Sequence, residues 1–168
     1  MRTDLHASSP LLLVGRVGNR AVVIPAAAVE RVVRMVALTA LPEAPPGVVG
    51  VVNVQGTVLP VVDPRPRLGV ETPRVHPDQH LVLISGRRRY LLWLDGIEQV
   101  TSVGSDALES VAGDNDTAPV PNVLRLEGDL LPVLSPDAFD PGPIVGAAVG
   151  SPDGADGREA RPSAFRAR

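Results

Sequence analysis

Apolar residues in this chain fall in short runs that polar residues, glycine and proline interrupt. Leu11 to Ile24 reads as two strands joined by a turn near Gly18-Asn19, and Leu81 to Leu94 reads the same way around Gly86 to Arg89. Runs this short, rich in β-branched Val and bounded by turn residues, predict strands rather than helices. Each pair leads into an apolar-spaced segment, Val29-Glu30-Arg31-Val32 in the first half and Ile97-Glu98-Gln99-Val100 in the second. Pro25-Ala26-Ala27-Ala28 is suited to one helical turn.

An internal repeat reinforces this pattern. Val51 to Pro64 aligns without gaps on Val123 to Pro136, and six of the fourteen positions are identical: Val51/Val123, Gly56/Gly128, Leu59/Leu131, Pro60/Pro132, Val61/Val133 and Pro64/Pro136. Each copy predicts a hairpin. An apolar strand runs up to a polar residue plus Gly, whose φ > 0 suits a tight turn, and a second apolar strand runs back. Pro60 and Pro132 offer no ladder donor and belong at an edge or bulge. Asp63-Pro64 and Ser135-Pro136 then read as a capping residue followed by Pro at a helix start, so a short helical turn should follow each hairpin.

The expectation is an all-β chain of two homologous halves, at about 8–72 and 78–140, each a small barrel, joined by Thr72 to Asp78. A single β-sandwich with a chance likeness between hairpins is the competing architecture. Gly104 to Pro121 reads as a mobile loop region, and 141–168, rich in Gly, Pro, Ala, Asp and Arg, as a disordered tail.

Composition narrows the chemistry. The chain is 44% hydrophobic, so it can bury a substantial core, and that core must be aliphatic because the aromatics are only Tyr90, Trp93, Phe139 and Phe165. There is no cysteine, which excludes disulfides and thiolate metal sites. The N-terminus does not read as a signal peptide, and no run approaches the ~20 apolar residues of a membrane span. The net charge of −3 argues against nucleic acid as the main partner. All 16 basic residues are Arg.

Candidate chemistry is sparse. Asp63, His76, His80 and Asp95 could be combined with a serine on paper, but no nucleophile motif supports a triad, and no catalytic residue is assigned. His76, Asp78 and His80 alternate as metal ligands could, yet they lie in and beside a polar linker without an evident fourth ligand, so neither metal nor cofactor is expected. Arg87-Arg88-Arg89 reads as a solvated turn that discourages edge pairing. The alternative function is a nucleic-acid-binding module using this run with Arg158, Arg161, Arg166 and Arg168 of the tail. The near absence of stacking aromatics weighs against it.

One family matches the order of motifs. Leu38 to Asp63, containing Thr39-Ala40-Leu41-Pro42, Gly50-Val51-Val52-Asn53-Val54-Gln55-Gly56 and Pro60-Val61-Val62-Asp63, resembles the signature of CheW-like domains. Leu92 to Val100 resembles the family's second-half motif, and the second hairpin its last one. The resemblance spans about residues 11–140. It implies two five-stranded SH3-like barrels around a shared core, with short helical turns. It also implies a non-catalytic cytoplasmic adaptor, recruited to membrane receptor arrays, that binds the regulatory domain of a CheA-type histidine kinase and the cytoplasmic tip of a chemoreceptor. The expected contact residues flank the motifs: Arg31, Val32, Met35, Asn53, Gln55, Gly56, Ile97 and Val100. Gly50, Pro60, Asp63 and Asp95 are read as structural. Two departures stand out: the family's Glu and Arg are replaced by Arg31 and Gln55. If those positions adjoin, a charge pair has given way to Arg with a neutral amide, and partner choice should differ.

Overall fold

The computed structural model describes residues 9–111 and 118–144. The first half forms β1 (Leu11–Val17), β2 (Arg20–Pro25), β3 (Val29–Arg34), β4 (Val48–Val54) and β5 (Thr57–Val62), then a one-turn helix α1 (Arg65–Leu68). The second half forms β6 (His80–Ser85), β7 (Arg89–Leu94), β8 (Gly96–Ser102), β9 (Leu108–Ser110), β10 (Asn122–Leu126) and β11 (Asp129–Val133). Single 3-10 turns occupy Ala26–Ala28, Ser105–Ala107 and Asp137–Phe139. The helical turns expected after Pro25, Pro64 and Pro136 are therefore present.

The strands make a six-stranded sheet, β8-β1-β2-β11-β10-β9, and a five-stranded sheet, β3-β6-β7-β5-β4. These sheets do not follow the halves at 8–72 and 78–140. The first hairpin of each half has changed sides: β1–β2 lies with strands of the second half, and β6–β7 with strands of the first. Each sheet therefore takes strands from both halves of the sequence, and the two sheets meet over one shared core. Within the segment expected to be a mobile loop, β9 pairs with β10 and provides the sixth strand; residues 112–117 of that segment lie outside the described residues. Of the expected tail, 145–168 also lies outside them.

Burial explains the exchange. Leu13, Val17, Val22 and Ile24 of β1–β2 meet Val82, Ile84, Tyr90, Leu92 and Leu94 of β6–β7 in a shared core. The opposite faces of these hairpins close private cores. Leu12, Val14 and Val23 pack with Leu124 and Val133, and Leu81, Leu83, Leu91 and Trp93 pack with Met35, Val52, Leu59 and Val61. A strand buried on both faces reads as a continuous apolar run, which is how Leu81 to Ile84 and Tyr90 to Leu94 appear.

The two repeat hairpins are near copies. Val54 pairs with Thr57 and Leu126 with Asp129, each across a two-residue turn. Both turns have two positive φ angles, 51° at Gln55 and 86° at Gly56, 51° at Glu127 and 92° at Gly128. This is the type I′ geometry that matches strand twist. β5 and β11 are interior strands, yet the prolines still sit at a local edge. The parallel ladder from β5 to β7 begins at Val61, one residue after Pro60, and that from β11 to β2 at Val133, one after Pro132. The five-stranded sheet is nearly closed by a bridge from Thr39 to Val51 on β4. Gly50 permits it, since a Cβ there would lie 2.7 Å from the Thr39 carbonyl oxygen.

Candidate docking surface and the buried arginine beneath it

Where β5 runs into α1, Arg65 turns into the protein and is fully buried. Its Nη1 donates to Asp63 Oδ1 at 2.8 Å, and the same oxygen accepts the Arg65 backbone N–H at 3.0 Å. Nη2 lies 2.8 Å from Asp95 Oδ2. That second contact is a charge pair rather than an aligned hydrogen bond, because Nη2 and Nε have no hydrogen-bond partner among the described residues. The guanidinium carbon lies 4.5 Å from the centroid of the Trp93 ring, so the cation is held by an aromatic face as well as by carboxylates.

Further bonds tie distant segments to this centre. Thr72 donates to Asp63 Oδ2 at 2.5 Å, the Gly18 N–H to Asp95 Oδ2 at 2.5 Å, and Gln79 Nε2 to Asp95 Oδ1 at 3.1 Å. Gln79 in turn accepts the His76 N–H through Oε1 and the Met35 N–H through its carbonyl. Burial pushes the Asp95 carboxyl upward, but the Arg65 guanidinium, the Gly18 N–H and the Gln79 amide together hold it below the ordinary carboxylate value. The network thus locks the linker and both halves of the chain. Asp63 and Asp95, read from the sequence as structural, both contact the buried Arg65. Arg65 stands two residues from Asp63, but its reach to Asp95 and Trp93, and the bond from Gln79 to Asp95, join residues far apart along the chain and have no signature in the sequence.

The same network removes the paper triad, since Asp63 and Asp95 face Arg65. His76 contacts Asp78 in the exposed linker, whereas His80 sits in the β6 ladder opposite Leu94. Among the described residues no cluster of three or more His, Asp or Glu side chains is arranged to hold a metal ion.

The predicted contact residues of the first half lie on the two edges of the five-stranded sheet. Gln55 and Gly56 form the β4–β5 turn, at the same end as Arg87 and Arg88 of the β6–β7 turn, whereas Arg31 and Val32 lie farther along β3, paired with Leu83 and Val82 and level with Val61 and Val62 of β5. Arg31, Val32, Asn53, Gln55 and Gly56 are all exposed. Asn53 also serves the turn, accepting the Gly56 N–H at 2.8 Å. Met35 is a correction: it is only 5% exposed and belongs to the core around Trp93, because its N–H continues the pairing of β3 by donating to the Gln79 carbonyl, and it shares the face of Val33, which packs against that core. Ile97 and Val100 lie on the other sheet. Ile97 is half-buried against the shared core, while Val100 is 55% exposed on the edge strand β8, near the exposed Leu11 of β1.

Glu30 clarifies the departures at Arg31 and Gln55. It is the extra residue of a bulge in β3, between Val29 and Arg31, and it takes two bonds from Arg89, from Nη2 at 2.6 Å and Nε at 3.0 Å. Arg31 and Gln55 share no hydrogen bond among the described residues. Glu98 occupies the corresponding bulge in β8 and faces Arg16 at 4.0 Å.

A duplicated β domain of two interlocked sheets, with its central ionisable side chains engaged in internal cross-links and its edge strands exposed, is the class defined by this geometry. A family model described as the CheW-like domain matches residues 11–140, and the chain belongs to that family. Among solved structures it resembles the scaffolding protein TtCheW from Thermoanaerobacter tengcongensis, with a TM-score of 0.68 and 20% identity over 76% of this chain and 89% of that one. No curated protein matches it significantly. Among the described residues no helix is long and apolar enough to cross a membrane.

Proposed function

We propose that this protein is a non-catalytic chemosensory adaptor of the cytoplasm that couples receptors to a CheA-type histidine kinase. The observation that carries the reading is that Arg31 and Val32 on β3, and Asn53, Gln55 and Gly56 on the β4–β5 hairpin, are all exposed along the two edges of the five-stranded sheet. Those edges are assigned to the kinase regulatory domain. The exposed Leu11 and Val100 on the six-stranded sheet form a second, separate surface, assigned to the receptor tip. A soluble module that leaves aliphatic side chains grouped at strand edges has a use for them in association. Signal would pass through fixed geometry: the rigid Arg65 centre holds the two surfaces in one orientation, so a receptor shift reaches the kinase as a displacement.

Two of the three consecutive arginines are engaged by carboxylates, Arg88 by Asp140 and Arg89 by Glu30. This takes charge away from the alternative nucleic-acid reading. The deciding experiment is a binding titration against the CheA-type regulatory domains of the source organism, with Val32→Asp and Gln55→Asp beside the wild type. Capture of one kinase by the wild type, weakened by either substitution, supports the adaptor. Binding of equal strength by all three proteins would place the kinase surface elsewhere, and no capture at all would defeat the kinase assignment.

A further inference from the structure

A cleft of about 260 Å³ opens beside the six-stranded sheet. Its walls are aliphatic, from Val17, Val22, Leu68, Val70, Val120 and Pro132, and Arg20 and Arg67 flank it. The cleft has a cause in the backbone. Pro132 has no N–H to donate, and the ladder from β11 to β2 consists of the Val133–Val23 pair, so the strands separate before that point.

The same physics makes a second cleft, of about 150 Å³, where β5 separates from β7 at Pro60. The two clefts correspond through the repeat. Arg20 opens β2 as Arg89 opens β7, and the chain leaving β5 walls one cleft as the chain leaving β11 walls the other. Their charges differ. At the smaller cleft the protein provides carboxylates for its own arginines, Glu30 for Arg89 and Asp140 for Arg88. At the larger one, Arg20 reaches only the Leu68 carbonyl at 3.5 Å, and Arg67 donates to the Ala138 carbonyl with its guanidinium carbon 5.1 Å from the Phe139 ring centroid. Neither meets a carboxylate among the described residues.

We propose that the larger cleft is a docking site for an acidic, aliphatic peptide segment of a partner protein. One aliphatic side chain of the partner fills the cleft, and a neighbouring carboxylate pairs with Arg20 and Arg67 as Glu30 and Asp140 pair with the arginines that line the related cleft. A guanidinium beside apolar walls selects such a group by charge and by forked geometry. The volume suits one side chain rather than a whole helix. The site lies on the opposite sheet from Arg31 and Gln55, so it stands independently of the kinase assignment.

The test uses the full chain, isotope-labelled, with acetyl-Asp-Leu-Asp-amide as the probe and acetyl-Asn-Leu-Asn-amide as its neutral control. The expected result is amide shifts at Val17, Val22, Val70 and Val120 with the acidic peptide. The neutral peptide, or the Arg20→Gln variant, should bind roughly tenfold more weakly or worse, the size of one lost charge-assisted hydrogen bond. Equal binding of both peptides, unchanged binding by Arg20→Gln, or shifts centred elsewhere would overturn the proposal. A variant carrying Asp114→Asn and Asp116→Asn covers the remaining case. Binding unchanged by it supports a partner's carboxylate, whereas peptide binding seen only in that variant would assign the cleft to this chain's own acidic segment.

Discussion

Arg65 lies with its guanidinium over the indole of Trp93, a residue of the opposite half of the chain, and both are buried. The stacking is possible because Asp63 and Asp95 bring negative charge to the edge of the guanidinium while the aromatic face covers one side. An arginine buried this completely is tolerable only when paired, and here the pairing is also what joins the halves.

Replacing Arg65 by Met should therefore be severe. It leaves Asp63 buried without its cation, and the expected loss is about 3–5 kcal/mol, read as a lower urea midpoint. Adding Asp63→Asn to Arg65→Met should recover part of that loss. Equal midpoints for Arg65→Met and the wild type would show that the pair contributes no net stability.

Asp95 predicts an acid limb. Its native carboxyl is held below the ordinary value, so the unfolded chain binds its proton first as the pH falls. The stability from this group is present above the unfolded value of about 3.9 and is lost as the pH drops through the lower native one. Urea unfolding followed from neutral to acid pH should show that loss in the wild type. Asp95→Asn should be less stable at neutral pH and should show a shallower acid limb.

Tyr90 predicts the alkaline counterpart. It is the only tyrosine, its hydroxyl donates to the Pro136 carbonyl at 2.6 Å, and burial first, then Asp140 and Asp137, push its ionisation strongly upward. Its contribution to stability is full below the unfolded value of about 10 and is lost as the pH rises towards the native one. Ultraviolet absorbance should show no tyrosinate in the folded protein at the pH where the urea-unfolded chain is half ionised. Tyr90→Phe should cost about 1 kcal/mol.

The β4–β5 region offers two opposed tests. Gln55 holds a φ of 51°, which costs a non-glycine residue about 1–2 kcal/mol, so Gln55→Asn should raise the melting temperature. Gly50→Ala would press a methyl group against the Thr39 carbonyl oxygen and should lower stability by about 1–3 kcal/mol, with loss of amide protection at Thr39 and Val51.

The shared core was legible through the family resemblance over residues 11–140, whereas what the residue patterns showed by themselves was local. The hairpins around Gln55-Gly56 and Glu127-Gly128, the helical turns after Pro25, Pro64 and Pro136, and the doubly apolar runs at Leu81 to Ile84 and Tyr90 to Leu94 all follow from patterns within a few residues. The exchange of hairpins could not be read. A repeat tells that two segments adopt similar shapes, but not which copy of a neighbour each one packs against. Met35 was misassigned for a related reason: proximity to Arg31 and Val32 along the chain says nothing about which side of the sheet it faces once β3 has ended. The bonds from Arg89 to Glu30 depend on a bulge, and a one-residue insertion in a ladder leaves no mark in composition.

The interleaving of the two halves has a consequence for how such a chain could arise and how it can be cut. Separated in the linker near Glu71, it should yield not two domains but two mutually dependent fragments, each offering a hairpin that only the other can cover. A single repeat made alone would meet that need by finding a second copy of itself. The present molecule has in that sense the connectivity of a domain-swapped dimer made covalent, with the Arg65 centre as the rivet between its halves.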